Sequence, residues 1–297
     1  MRIGIAQTSP VFGERDRNIA EALELIRQEN ADLWVFPELF ATGYQFVDAD
    51  EARSLAEPVP NGPTTQALIE HSRAHDCYIV AGLPELGELA KPVPGGFTTQ
   101  ALVKHAVEQG CHIVAGLPES DGKRLYNSAV LVGPDGLLAC YRKVHLFYEE
   151  KRFFSPGDRS FPVIDIGIAR IGLMVCFDHL FPESARSLAL QGADVIAHPA
   201  NLVLPDLAQR TMSIRALENG VFTATANRVG TESRTSETLV YTGQSQIVAP
   251  NGEALVRLSK DGAETAVVEI DVERARDKRI TDFNDKLADR RPDQYRL

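Results

Sequence analysis

No run of apolar residues in this 297-residue chain approaches the length of a membrane-spanning helix. No basic cluster extends beyond a few residues, and the formal charge is −10. Both facts argue against nucleic acid and anionic membranes as partners. The start, MRIGIAQTSP, carries one Arg and a short alternating stretch, so it reads as a first strand rather than a signal peptide. Four cysteines without paired metal-ligand spacing imply a reducing, cytoplasmic setting and no disulfide framework. His145, His179 and His198 lie near the motifs described below, but none sits in HxxxH or HxH spacing. Neither a metal nor another cofactor is therefore expected.

What is present is a large apolar fraction, 44%, enough to bury a substantial core. The length permits two domains, but single α/β domains reach this size. Strand signals fall at Arg2–Gln7, Leu33–Phe36, Ser128–Val132, Leu137–Tyr141, Ile168–Val175, Asp194–His198, Val221–Asn227, Gln244–Ala249, Ala254–Leu258 and Ala266–Ile270. Helical patterns cover Arg15–Asn30, Pro182–Gln191 and Asp206–Gly220, the last with Ile214 and Leu217 on one face. Gly133-Pro134-Asp135-Gly136 and Pro250-Asn251-Gly252 read as hairpin turns. This mixture predicts an α/β fold of two sheets with helices outside.

Three segments carry chemistry. Cys176 follows the apolar run Ile168–Val175 and precedes a helix, the strand-end position where catalytic groups collect in α/β folds. It is either a nucleophile or a buried packing thiol. In DLWVFPELFATGY, Pro37 ends a short strand, and Glu38 emerges among apolar neighbours as a base or as a capping and pairing carboxylate. In LLACYRKVHLFYEEKRFF, Lys143 ends another strand-like run and Glu150 follows in an aromatic-rich loop. Together the three residue types describe a mechanism. A thiol is mostly protonated at pH 7 and needs a base, which Glu38 would supply. Charge built on the attacked carbonyl or nitrile would be met by Lys143 and the N–H of Phe177.

FPELFATGY, YRKVHLFYEEKRFFSPGD and IGLMVCFDHLFPESARSLALQGADVIAHPANL, followed by RALENGVFTATANRVG and DFNDKLADRRPDQY, stand in the order of one family. The chain resembles the nitrilase superfamily of carbon–nitrogen hydrolases over nearly its whole length. The resemblance implies a four-layer αββα sandwich. It also implies a triad of Glu38 as base, Lys143 as oxyanion stabiliser and Cys176 as nucleophile, with Glu150 as a second glutamate that orients substrate and holds the lysine. Phe177, Tyr44, Tyr148 and Asn201 are the candidate substrate-binding residues. The implied reaction is hydrolysis of a small amide or N-carbamoyl compound through a Cys acyl-enzyme, with release of ammonia. Most true nitrilases carry Trp then Glu after the nucleophile, whereas this chain has Phe177 and Asp178. An aliphatic nitrilase is nevertheless an alternative, because Cys-Phe-Asp, HPANL and RALEN are similar to a thermostable aliphatic group. Two other classes stay open: a Cys/His hydrolase using His179 or His198, and a catalytically impaired scaffold on the same fold. The family's pairing through outer helices implies a homodimer or higher homo-oligomer. The charged and aromatic tail Asp282–Leu297 would then lie on the partner.

One feature departs from the family. Residues 57–85 recur at 91–119, offset by 34, with 18 of 29 positions identical. Each copy reads as a helix followed by a buried strand, and the family normally has one such unit. The expectation is a single 1–297 carbon–nitrogen hydrolase domain with an internal tandem duplication. The second copy would fill the family's slot. The first would form an added unit at a sheet edge or an excursion, Cys77 and Cys111 would be core residues, and the loop Leu86–Gly96 would be mobile.

Overall fold

The computed structural model describes residues 1–27, 29–48, 50–51, 55, 78–82, 113–120, 125–133, 136–152 and 154–295, with only the backbone described for 78–82, 113–120, 125–133 and 136–140. In chain order its strands begin with β1 (Arg2–Gln7), β2 (Leu33–Glu38), β3 (Tyr78–Gly82), β4 (Ile113–Ser120), β5 (Leu125–Gly133), β6 (Gly136–Arg142), β7 (Val163–Asp165) and β8 (Arg170–Leu173). They continue with β9 (Val195–Pro199), β10 (Phe222–Ala226), β11 (Val229–Glu232), β12 (Leu239–Thr242), β13 (Gln246–Val248), β14 (Ala254–Arg257) and β15 (Glu264–Glu269). The helices used below are α1 (Arg15–Ile26), α2 (Pro182–Leu190) and α3 (Leu207–Asn219).

Two sheets carry the fold. One has the order β15-β1-β2-β3-β4-β5-β6, the other β14-β13-β10-β9-β8-β7. At their centres β1 runs parallel to β2, and β8, β9 and β10 run parallel to one another, with antiparallel strands β15, β13 and β7 flanking them. The parallel strands are buried along nearly their whole length, as strands covered on both faces are, and their sequences are mostly apolar, with Thr223, Thr225 and His198 buried among them. The inner faces meet in one core: Ile3, Ile5, Leu33 and Val35 from the first sheet against Ile171, Leu173, Val195, Ala197, Phe222, Ala224 and Ile247 from the second. Helix α1 lies against β1 and β15. On the far side, Ala185, Leu188 and Ala189 of α2 and Met212 of α3 pack over Met174 and Ile196. The layers are therefore helix, sheet, sheet, helix.

Several expectations need correcting. Strand β2 continues through Pro37 to Glu38, with an irregular register between Val35 and Glu38, because Pro37 has no N–H to give the ladder. The face of α3 bearing Ile214 and Leu217 is exposed (49% and 42%), and the buried stripe is Ala208, Met212 and Ala216. In the tail, Asn284–Asp285 pairs as a short strand with Arg279–Thr281, and Lys286 Nζ donates to Leu217 O at 2.8 Å, so the tail begins on its own subunit.

The repeat is placed differently from the expectation. Strand β3 of the first copy lies inside the sheet, between β2 and β4, not at an edge. It pairs in parallel with β4 of the second copy in the register Ile79↔Ile113 and Val80↔Val114. These are equivalent positions of the two copies. Strands of like sequence share one alternation, so a shift by one strand spacing keeps the same residues on the same faces. Cys77, Cys111, the helix of each copy and the loop 86–96 lie outside the described residues.

Candidate active site

Three chain reversals bring the candidate residues together, and each contains a non-glycine residue at positive φ. Leu39 (φ 54°) follows Glu38, Tyr148 (φ 50°) precedes Glu150, and Cys176 itself has φ 47°. Such conformations cost free energy and persist where surrounding structure enforces them, which is commonest at functional sites.

Lys143 follows β6 and is 1% exposed. Its backbone O accepts from Gly157 N–H at 2.9 Å. Only glycine fits there, since a Cβ at 157 would lie 2.1 Å from Arg142 O. The Lys143 ammonium donates to Glu150 Oε1 at 2.7 Å and to Glu38 Oε1 at 3.3 Å. Burial alone would discharge this lysine, but the carboxylates of Glu150 and Glu38 outweigh it and hold its pKa well above the ordinary value. Glu150 lies in the turn Tyr148–Arg152. Its second oxygen accepts from Phe147 N–H at 3.0 Å, and the Tyr44 hydroxyl donates to its first at 3.3 Å.

Cys176 opens the 3-10 turn Cys176–Leu180 directly after β8 and Met174-Val175. It is 3% exposed, and its Sγ lies 3.9 Å from Asn201 O. Burial pushes the thiol pKa far up; Lys143 opposes this, and Glu38 and Glu150 add to it. The resting sulfur is therefore a thiol that must hand its proton to a base as it reacts. Phe177 N–H stands at the second position of the turn, before any carbonyl the turn could offer it.

Asn201 Nδ2 donates to Glu38 Oε2 at 3.5 Å. With Phe147, Phe177, Leu202, Val203 and Leu204 it lines a narrow cleft beside Cys176. Phe177 packs at a tilt against Phe147, with ring centroids 5.1 Å apart. Tyr44 joins the site through Glu150. Tyr148 is 41% exposed, and its ring centroid lies 6.2 Å from that of Phe147. Among the described residues no group of three or more His, Cys, Asp and Glu could hold a metal ion.

The histidines do not fit the Cys/His alternative. His198 Nε2 lies 2.9 Å from the backbone O of Cys176 and donates to it, so its Nδ1 accepts from Thr225 Oγ1 at 3.1 Å. Burial lowers His198 to about 4. His179 is turned to Thr211 Oγ1 at 2.7 Å, and burial lowers it to about 3. Both rings are neutral frame elements.

Sequence reasoning missed the support of the Glu38 loop. Glu232, at the end of β11, accepts from the N–H groups of Tyr44 (3.2 Å) and Gln45 (2.6 Å) and from the Tyr241 hydroxyl (3.1 Å). Arg228 pairs with it at 2.5 Å and lies over the Tyr241 ring at 4.0 Å. Gly43 is required at φ 86°, where a Cβ would meet Glu232 Oε1 at 2.7 Å. Arg228 stands in RALENGVFTATANRVG, a signal available in the sequence, but nothing local to it points to a loop almost 190 residues earlier.

Comparison with known proteins gives the family. The family profile described as "Carbon-nitrogen hydrolase" matches residues 2–95 and 84–280, two stretches that overlap where the repeat copies join. The chain is 44% identical to a nitrilase of Pyrococcus abyssi over 99% of both chains. It is 33% identical to an (R)-stereoselective amidase of Pseudomonas sp., over 98% of this chain and 92% of the relative. A solved structure of the amidase from Nesterenkonia sp. AN1, with the acetamide moiety of fluoroacetamide covalently added at its active-site cysteine, aligns with TM-score 0.64. It has 25% identity to this chain and covers 94% of each. With these matches spanning both halves of the sandwich, the chain belongs to the carbon–nitrogen hydrolase family of enzymes.

Proposed function

We propose that the protein hydrolyses small, uncharged amides through a covalent Cys176 adduct and releases ammonia. The observation that carries this reading is the Lys143 ammonium held between Glu38 and Glu150 beside the buried Cys176. Glu38 takes the thiol proton as Sγ bonds to the substrate carbonyl carbon. The carbonyl electron pair moves to oxygen, where Lys143 and Phe177 N–H stabilise it. The tetrahedral adduct collapses, the C–N bond breaks, and Glu38 returns the proton to the leaving nitrogen as ammonia. Water, deprotonated by Glu38, then displaces the thiol and yields the acid. Tyr44 supports the site through Glu150, and Asn201 through Glu38. The cleft walls are mainly apolar, with Phe147, Phe177, Leu202, Val203 and Leu204 beside His179 and Asn201, which suits an uncharged acyl group.

A second reading rests on the 44% identity to a relative named a nitrilase. Sulfur adds equally to a nitrile carbon and the nitrogen takes the thiol proton to give a thioimidate. One water adds to it and expels ammonia, leaving the same acyl-enzyme, and a second water releases the acid and the thiol. Ammonia assays over matched amides and nitriles, with intact-mass detection of the adduct, separate the two. Turnover by Cys176→Ala at a rate near that of the parent would refute both.

We further read residues 1–297 as one domain carrying the duplication, cytoplasmic, and assembled as a homodimer or higher homo-oligomer. The exposed Ile214 and Leu217 face of α3 and the neighbouring tail support the pairing. Light scattering that found only monomer at micromolar concentration would contradict it.

A further inference from the structure

The two segments that carry Lys143 and Cys176 belong to different sheets, and one fully buried carboxylate ties them together. Asp178 Oδ2 accepts from Val175 N–H at 2.9 Å and from the Tyr141 hydroxyl. Asp178 Oδ1 accepts from His145 N–H at 3.2 Å and lies 2.8 Å from His145 Nδ1. The Tyr141 hydroxyl in turn accepts from Val144 N–H at 3.3 Å. The residues on both sides of Lys143 are thus bound to a side chain two positions after Cys176. Flanking rings stiffen the joint: His145 stacks on Phe181 with centroids 3.6 Å apart, and Tyr141 stacks on Phe161 at 5.3 Å. The same carboxylate closes the Cys176 turn on itself through Val175, so the strained backbone of the nucleophile and the loop of the lysine share one fixed point.

We propose that Asp178 is a positioning residue that sets the distance between the Lys143 ammonium and the Cys176 sulfur across the two sheets. The proposal rests on the roles given above to Lys143 and Cys176. Lys143 acts on charge that develops only in the transition state, so a displaced ammonium slows the chemical step while leaving substrate binding largely intact.

The test uses Asp178→Asn, Tyr141→Phe and Cys176→Ala in the full-length protein. Active sites are counted by alkylation of Cys176 with iodoacetamide. Asp178→Asn keeps the shape but replaces one acceptor with a donor, against a shell made of donors. Its kcat per labelled site should fall about 100-fold, the order expected for a misplacement near 1 Å, with KM within about threefold. The pH profile of Cys176 alkylation should move to higher pH as the ammonium recedes from the sulfur. Tyr141→Phe removes one bridge and leaves the Val175 arm, so it remains informative if Asp178→Asn does not fold. It should lose about tenfold in kcat with the same direction of profile shift. A merely structural role would lower the unfolding temperature or the number of labelled sites. Unchanged kcat per site and an unchanged alkylation profile in the folded variants would overturn the proposal. If in that case Cys176→Ala is inactive, the proposed reaction stands without the Asp178 role; an active Cys176→Ala would overturn both.

Discussion

The turn that presents Cys176 and the turn that presents Glu38 solve one problem in two ways. Both end a buried parallel strand, and both hold a non-glycine residue at positive φ. The Cys176 turn is held through residues of its own motif: Asp178 on Val175 N–H, with Tyr141 and His145 donating to the same carboxylate, and His198, on the next strand of the sheet, on the Cys176 carbonyl. The Glu38 turn is held from far away, by Glu232 and its partner Arg228 on the hairpin of β11 and β12. The nucleophile is thus fixed by its own motif. The base depends on a buried ion pair that reaches it only when the chain is folded. Damage to the first should appear as lost chemistry, and damage to the second as lost stability.

The largest effect is expected on the nucleophile's side. Cys176→Ala should abolish turnover and adduct formation while leaving the fold intact, because a small buried side chain is exchanged for a smaller one. Lys143→Ala should lose on the order of 3 kcal/mol of transition-state stabilisation, a rate loss of about 100-fold or more. It also leaves Glu38 and Glu150 facing each other without their shared cation. Ammonia release and thermal unfolding, measured on the same samples, check both. Substantial activity in Cys176→Ala would remove the chemical half of the comparison.

The next effect tests the other side. Glu232→Gln leaves the Arg228 guanidinium, 1% exposed, without a counter-charge. Breaking one partner of a buried pair costs about 3–5 kcal/mol. His198→Gln, which can still donate toward the Cys176 carbonyl, should cost only about 1–2 kcal/mol. Urea unfolding of the two variants should therefore rank Glu232→Gln as the more destabilised. The reverse ranking would show that the Glu38 turn does not depend on its distant support.

Acid should load the Cys176 side in particular. His198 and His179 are buried and neutral, with pKa values lowered from 6.5 to about 4 and about 3. The unfolded chain takes up their protons near pH 6.5, whereas the folded chain refuses them until the lower values. Their contribution is therefore complete above pH 6.5 and is lost as pH falls toward 4 and then 3. Each withheld proton removes about 1.4 kcal/mol per pH unit in that window. Urea midpoints at pH 7 and pH 5 should differ accordingly, and His198→Gln should flatten the slope. An unchanged slope would mean that His198 accepts a proton in the folded state without cost.

The same contrast explains what could be read from the sequence. Strands β1, β8, β9 and β10 were legible because strands covered on both faces are rich in apolar and β-branched residues, as in the Phe-Thr-Ala-Thr-Ala of β10. The turn at Gly133-Pro134-Asp135-Gly136 was legible because Pro and Gly mark it, and Gly133 does pair with Gly136. Glu38, Lys143, Glu150 and Cys176 stood out as reactive groups at strand ends or in an aromatic loop, inside motifs of a familiar order. Glu232 and Asp178 did not. A carboxylate in a turn looks like a cap, and its long-range partners exist only in three dimensions. The hairpin of β11 and β12 was missed for a related reason: both strands are only four residues long, and β11 carries Gly, Thr and Glu in place of an apolar run. The placement of the first repeat copy was misread because an extra strand was assumed to need an edge. The in-register pairing Ile79↔Ile113 gives it a place inside the sheet instead.

That interior strand leads to the smallest expected effect. Deleting residues 57–90 removes one 34-residue period and shortens the Glu38-to-Lys143 separation from 105 to 71 residues. After deletion the strand β4 would follow β2 as β3 does now. It presents Ile113 and Val114 where Ile79 and Val80 now pair with Trp34 and Val35. Because the second copy repeats the first at these positions, the lost ladder is replaced by an equivalent one, and the hairpin β4–β5 keeps its own register. The supports of both turns, Asp178, His198, Arg228 and Glu232, lie outside the deleted stretch. The deletant should therefore fold, keep kcat within about threefold, and unfold at a temperature no lower than the parent. Thermal unfolding and ammonia release decide it. An unfolded or inactive deletant would mean that the sandwich has adapted its spacing to the seventh strand, and that the two copies are no longer interchangeable.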